Sequence, residues 1–218
     1  MKYKCIIPAR GGSKRIPKKN LAVIGGIPLV SWAIRTAKEV FLPENIYVSS
    51  DHPKILNIAV TENVVPVQRP EFESSDTATD ADVIRHIMTG VGSNGSAIAY
   101  LRPTTPFRSI NVLKEAMQIF ETENISRLIC VEEMTESAYK SYMLAPNRKL
   151  YPLYEAIHNA PNQTCPKTYR NNGYLDLYRW PDGLEVLPFG FVVPRTIEID
   201  IMEDLENARF CHERRKHD

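Results

Sequence analysis

Strand-like apolar runs alternate with stretches of helical period from residue 3 to residue 131, and this alternation leaves the chain few architectures. Residues 3–8 read as a buried strand. After Pro28, a good first-turn residue, Leu29, Val30, Ala33, Ile34 and Ala37 recur at helical spacing. Further strands are expected at 46–49, 64–68, 97–101 and 128–131. Between them, Ile55, Ile58 and Ala59 mark a helix opened by Pro53. Val83, Ile84, Ile87 and Met88 mark one capped by Thr79 or Asp80, and Leu113, Ala116, Met117 and Phe120 mark another. The pattern predicts an α/β fold with a mostly parallel sheet, right-handed crossovers and helices on both faces. Ligands of such sheets sit beyond the carboxyl ends of the strands, so function is sought in the residues that follow each strand.

From Met134 to about Lys167 the pattern fails in a stretch rich in Tyr, Pro and Asn. A loop that long in a compact domain is usually functional or an interaction arm. Strands return at 172–178 and 189–193, a helix starts near Met202, and residues 213–218 read as a solvated end. The 218 residues suffice for one sizeable core, without internal repeats. Lys and Arg total 27 against 26 Asp and Glu, a balance that argues against a general nucleic-acid binder. The most apolar stretch, 21–34, is broken by Gly25, Gly26 and Pro28, so no membrane span is expected. The first residues reach Arg10 too soon to read as a signal peptide. Cys5, Cys130, Cys165 and Cys211 form no C-x-x-C pair, which predicts reduced thiols in a cytoplasm, without zinc or a disulfide framework.

The strongest local signal follows the first strand: Pro8-Ala9-Arg10-Gly11-Gly12-Ser13-Lys14-Arg15-Ile16-Pro17-Lys18-Lys19-Asn20. Gly11 and Gly12 permit a sharp turn that presents bare N–H groups to an anion. Arg10, Lys14, Arg15, Lys18 and Lys19 crowd the same loop. A triphosphate carries about four negative charges, and such a loop can surround it. The spacing fits neither the Walker pattern nor a dinucleotide fingerprint. Late in the chain, Glu198 and Asp200 in Ile197-Glu198-Ile199-Asp200 alternate and so share a side, as two oxygen ligands of one Mg²⁺ require. The histidines (His52, His86, His158, His212 and His217) show no metal-ligand spacing, and His52 reads as structural. Nothing resembles a Ser-His-Asp set, so direct in-line transfer is expected, driven by positioning and charge neutralisation.

On the basic loop the chain resembles the acylneuraminate cytidylyltransferase family, the CMP-sialic acid synthetase type, from Tyr3 to about Cys211. The resemblance implies a Rossmann-like nucleotidyltransferase fold. It also implies attack by the anomeric hydroxyl of a 2-keto acid sugar on the α-phosphate of CTP, with pyrophosphate released. Arg10, Ser13, Lys14 and Lys19 would hold the triphosphate, with Asn20 near the nucleotide. Gln68-Arg69-Pro70 and Asp76-Thr77-Ala78-Thr79 resemble the segment that lines the cytosine pocket, where Arg69 and Ala78 match. Asp80 stands where the family often has Ser, and either caps its helix or alters base contacts.

Leu101-Arg102-Pro103-Thr104-Thr105-Pro106-Phe107-Arg108 is similar to the family's L-Q-P-T-S-P-L-R, where sugar and nucleotide meet. The prolines would hold the hydroxyls of Thr104 and Thr105 in place. Arg102 replaces the usual Gln; it either answers a more anionic or differently shaped acceptor or bonds a neighbouring loop. Lys140 matches a family lysine that approaches the acid sugar. Arg170-Asn171-Asn172-Gly173 resembles R-x-N-G, placing Arg170 and Asn172 near the sugar. Asn162 falls at the family's other basic sugar contact, a charge that Arg102 would then replace. Residues 134–168 match a dimerisation arm, implying a homodimer. The family's I-D-I-D, here with Glu198 and Asp200, holds magnesium.

The reading is a cytoplasmic, Mg²⁺-dependent enzyme with Arg10, Lys19 and Asp200 in catalysis. It would activate a sialic, legionaminic, pseudaminic or Kdo-type sugar for surface glycans, without nucleic-acid or membrane partners. Two alternatives stand beside it. One is transfer to another anionic acceptor such as a phosphonate, or from another nucleotide; the other is a nucleotide-binding regulatory protein without turnover.

Overall fold

The computed structural model describes residues 3–70, 77–91 and 96–215. The chain runs β1 (Tyr3–Pro8), a small hairpin of β2 (Val23–Ile24) and β3 (Ile27–Pro28), α1 (Leu29–Lys38), β4 (Ile46–Ser50), α2 (Pro53–Thr61), β5 (Val65–Gln68), α3 (Asp80–Val91), β6 (Ala97–Tyr100), α4 (Ile110–Thr122) and β7 (Arg127–Glu133). A second hairpin, β8 (Tyr142–Leu144) and β9 (Leu150–Pro152), precedes β10 (Tyr169–Arg179), β11 (Phe189–Val192) and α5 (Met202–Arg214). Seven strands form the central sheet in the order β11-β7-β10-β6-β1-β4-β5. All neighbours in it are parallel except β10, which runs antiparallel to both β6 and β7.

The alternation of β1 explains the layering. Cys5 and Ile7 face a cluster completed by Val30 and Ile34 of α1, Ile55 of α2 and Phe120 of α4. Ile6, between them, faces the other side and packs with Val83, Ile84 and Ile87 of α3. The connections from β1 through α1 to β4 and from β5 through α3 to β6 place β4 and β6 on opposite sides of β1, so the loops after β1 and β6 part at a switch point. A third cluster joins Ile16 of the basic loop, Ile24, Leu29, Ile199, and Leu205 and Ala208 of α5.

The strands and helices expected from residue 3 to residue 131 are present, with ends shifted by a few residues. The sequence pattern missed both hairpins, because strands of two or three residues hold too few alternations. The first turns on Gly25 and Gly26, both at positive φ (59° and 80°). The second lies in the stretch read as patternless, with Met143, Leu144 and Leu150 exposed. β10 begins at Tyr169 rather than 172, and α5 stays helical to Arg214. Asp76 lies outside the described residues. Among those that are described, no helix is long and apolar enough to cross a membrane.

A bend in β10 is held by one buried side chain. The register of β10 against β7 shifts between Asn171 and Asp176, around Gly173 at φ 66°. Arg108 reaches in from the loop after β6. Its guanidinium donates to the carbonyls of Tyr174 (2.6 Å), Gly173 (2.9 Å), Arg102 (2.5 Å) and Thr105. Burial pushes its pKa down to about 10, which still leaves it charged at neutral pH. Only a planar fork with five donors can serve that many carbonyls. Arg108→Lys is therefore expected to lose about 1–3 kcal/mol of stability, read as a lower urea midpoint; an unchanged midpoint would contradict the staple.

Candidate active site

The carboxyl ends of β1 and β6 open on a cleft of about 590 Å³. Most of the residues singled out in the sequence line it. Arg10, Gly12, Ser13, Lys14, Lys19 and Asn20 come from the loop after β1. Arg69 follows β5, Ala78 and Asp80 open α3, Arg102 and Thr104 follow β6, and Asp200 precedes α5.

The loop after β1 is braced from behind. The Gly11 N–H donates to Asp51 Oδ1 at 2.6 Å, and a Cβ on Gly11 would lie 2.7 Å from His52 Cβ. Gly11 is thus needed for close approach, which leaves Gly12 and Ser13 on the cleft side. His52 has the structural role expected of it: Nδ1 caps α2 by accepting from the Lys54 N–H at 3.2 Å. Asn20 is buried, and its Nδ2 donates to the Arg10 carbonyl at 2.8 Å, tying the end of the loop to its start. Arg69 is buried as well, with Nη2 on the Ser49 carbonyl at 3.1 Å and Nε on Ser49 Oγ at 3.2 Å.

The basic loop and residues 199–200 meet directly; the latter lie in an irregular stretch beyond β11, which ends at Val192, so the strand alternation expected of Glu198 and Asp200 does not apply. Lys19 Nζ lies 3.0 Å from Asp200 Oδ1 and 2.9 Å from the Ile199 carbonyl, and Arg15 Nη1 lies 3.7 Å from Asp200. Ile199, buried between Glu198 and Asp200, packs on Ile16 of the loop. The Glu198 carboxyl is held above its ordinary pKa, first by burial and then by the neighbouring Asp200 charge.

Several expectations are corrected. Thr79, not Asp80, caps α3: its N–H donates to Asp82 Oδ2 at 2.8 Å and its Oγ1 accepts from the Asp82 N–H at 3.3 Å. Asp80 turns away, with Oδ1 accepting from the Tyr100 hydroxyl at 2.8 Å and Oδ2 from Arg102 Nη2 at 2.5 Å. Arg102 Nη1 also donates to Asp176 Oδ2 at 2.8 Å, and the guanidinium lies 5.1 Å from the Tyr100 ring centroid. Of the two roles left open for Arg102, the structure shows the bond to neighbouring elements. Its charge is shared by these two carboxylates, while its side chain still lines the cleft. Burial opposes its charge, but Asp176 and Asp80 outweigh burial and raise its pKa.

Thr105 and Asn172, expected at the acceptor, are fully buried behind the cleft. The Thr105 hydroxyl donates to the Asn172 carbonyl at 3.0 Å, and Asn172 Nδ2 to Glu132 Oε2 at 3.3 Å. Arg170 pairs with Glu132 at 2.7 Å beside a second cleft, lined also by Arg195. Lys140 lies in the 134–168 segment, donating to the carbonyls of His158 (2.9 Å) and Ala160, and does not line the main cleft.

Sequence reasoning missed Asp51, Tyr100, Arg108, Glu132 and Asp176. A signal existed for Asp176: a lone carboxylate inside the apolar run Tyr174-Leu175-Asp176-Leu177-Tyr178 requires a buried cation. The close approach at Gly11 carries a prediction of its own. Gly11→Ala must displace the loop from His52 and is expected to lower the melting temperature by about 3–10 °C; an unaltered melt by circular dichroism would show that the contact yields freely.

Comparison with known proteins agrees with this geometry. A family model described as cytidylyltransferase matches residues 4–170. The chain is 30% identical to a pseudaminic acid cytidylyltransferase of Campylobacter jejuni strain 81-176, covering 97% of each chain. It is 30% identical over 172 residues to an N-acylneuraminate cytidylyltransferase of Escherichia coli O18:K1:H7, covering 78% of this chain and 40% of that one. A CMP:2-keto-3-deoxy-manno-octonic acid synthetase solved with CTP shares the fold at a TM-score of 0.73 and 17% identity, covering 99% of this chain and 100% of that one. With a cleft between a cationic loop and an acidic segment, and a cytidylyltransferase model and relatives matched along most of its length, this protein belongs to the acylneuraminate cytidylyltransferase family.

Proposed function

We propose that the enzyme transfers CMP from CTP to a 2-keto sugar acid. The sugar is of the pseudaminic kind, because the similarity to pseudaminic acid cytidylyltransferase runs through 97% of both chains. The observation that carries the reading is the Lys19–Asp200 contact at 3.0 Å, which brings the cationic loop against the acidic segment before α5 beside one cleft. Arg10, Lys14 and Lys19 answer the triphosphate charge, and the N–H groups of Gly12 and Ser13 supply neutral donors to it. Arg69 and Ala78 take the base at the far end of the cleft. The anomeric hydroxyl oxygen bonds to the α-phosphorus as its bond to the β-phosphate oxygen breaks, releasing pyrophosphate and the hydroxyl proton. Lys19 and Arg10 stabilise the charge that moves onto the leaving group.

Asp200 and Glu198 suit a Mg²⁺ ion. Both are hard oxygen donors two residues apart, Asp200 lining the cleft; the Asp200 charge adds to burial in holding the Glu198 pKa up, and a divalent cation would relieve that part. Among the described residues no cluster of three such groups occurs. Two carboxylates with phosphate oxygens and water are a common Mg²⁺ environment. Asp200 and Glu198 would hold the ion, which would supply positive charge against the phosphates, beside the cations of Lys19 and Arg15.

The exposed Met143, Leu144, Leu150 and Tyr151 of the β8–β9 hairpin support residues 134–168 as the dimerisation arm of a homodimer. Free thiols at Cys5, Cys130, Cys165 and Cys211 suit a cytoplasmic enzyme, and the sugar products suit surface glycan synthesis.

Pyrophosphate release from CTP in the presence of pseudaminic acid and Mg²⁺ tests the reading. CTP binding without release with any sugar acid would favour a regulatory protein instead. Lys19→Ala is expected to lower kcat/KM about 100- to 1,000-fold, and a fall below tenfold would remove Lys19 from the transition state. Chelation with EDTA is expected to abolish turnover and added Mg²⁺ to restore it; full activity in EDTA would refute the metal role. Leu144→Asp is expected to yield monomers in sedimentation velocity, and an unchanged dimer would exclude the arm.

A further inference from the structure

Residues 199–201 belong to no strand or helix, yet each of their N–H groups has a partner. The Ile199 N–H donates to the Thr104 carbonyl at 2.8 Å, and the Ile199 carbonyl accepts from Lys19 Nζ at 2.9 Å. The N–H groups of Asp200 and Ile201 both donate to Oδ2 of Asp204, each at 2.9 Å. We infer that Asp204, in the first turn of α5, is the positioning residue that holds the Asp200 carboxylate at the cleft for the metal ion. The inference rests on the reading of Asp200 as a Mg²⁺ ligand and names the residue that supports it from behind.

The two amides bound by Asp204 flank the Asp200 Cα. Between them lie only the φ and ψ of Asp200, the two soft dihedrals of that residue. One oxygen that takes both protons therefore fixes both angles, and with them the direction in which the Asp200 side chain leaves the backbone. Thr104 and Lys19 hold Ile199 from the cleft side and line the cleft themselves, whereas Asp204 does not line it. Its own place is set by the docking of α5. Leu205 and Ala208 are buried against Ile16, Ile24 and Ile199, and Arg209 Nε donates to the Val23 carbonyl at 3.0 Å. In a full capping box the N-cap side chain also serves the first turn, but Ile201 at the N-cap has no acceptor to offer. Asp204 thus bonds backwards, to the segment that carries Asp200. What this role requires is an acceptor oxygen rather than a negative charge.

Titration calorimetry of the full chain with CTP in EDTA and with Mg·CTP tests this. The ratio of the two affinities is the gain due to the metal. Asp204→Ala is expected to shrink that gain about 10- to 100-fold, with the affinity for metal-free CTP kept within about twofold. Asp204→Asn, which keeps an acceptor oxygen for both N–H groups, is expected to retain the gain. Adding Asp204→Ala to Asp200→Ala is expected to cost nothing further, because Asp204 acts through Asp200. A full gain in Asp204→Ala overturns the inference, even with a lowered melting temperature, since Asp204 is then a helix cap alone. A further loss in the Asp200→Ala background overturns it too. So does a folded Asp204→Asn without the gain, which would make charge or direct ligation the cause; this variant decides by itself if Asp204→Ala does not fold. A wild type that gains nothing from Mg²⁺ overturns the metal reading itself, an outcome distinct from a gain that ignores Asp204.

Discussion

The contact between Lys19 and residues 199–200 is the constraint on which the site depends. The amine reaches both the Ile199 carbonyl and the Asp200 carboxylate, across a sequence separation of 180 residues or more. A single exposed ion pair would contribute little. Here it sits on an apolar base, because Ile16 and Ile199 are buried together with Ile24, Leu29 and Leu205. Burial of those side chains brings the two segments together, and the ion pair sets their register. Opposite charges thus lie beside one cleft.

In and behind the cleft, the fold carries paired charge. Arg108 ties the loop after β6 to the bend in β10 through four carbonyls. Arg102 bridges Asp80 on α3 and Asp176 on β10. Removing one partner of such a set leaves a buried charge uncompensated, which costs more than the contact itself contributes. Loop, helix and strand are thereby fixed relative to one another, which a site for in-line transfer requires. Antiparallel β10 makes this possible. Inserted between β6 and β7, it brings Asp176 opposite Tyr100, within reach of a side chain two residues further along.

Much of this was legible in the chain. Apart from the β2–β3 hairpin, the strands and helices up to residue 131 followed from period alone, since buried parallel strands read as apolar runs and their helices as apolar stripes. The basic glycine loop pointed to an anion site, and the structure sets that loop along the cleft. Partners were not legible. Arg102 read as a spare cation for an acid sugar, and Asp80 as a possible cap; each was half of the other's explanation. Thr105 and Asn172 matched a motif, yet they brace the cleft from within the fold, where no motif distinguishes scaffold from lining.

By itself, the sequence determined the layered α/β architecture, the cationic, glycine-containing loop after β1 and the acidic pair at 198 and 200. These depend on periodicity and local composition, which are properties of neighbouring residues. Only the tertiary structure decided that β10 runs against the sheet, that Lys19 meets Asp200, and that Arg102 is neutralised by Asp80 and Asp176. Those outcomes join residues 22 to 181 positions apart. Which distant charge a side chain finds depends on how the core packs, and no local pattern encodes that.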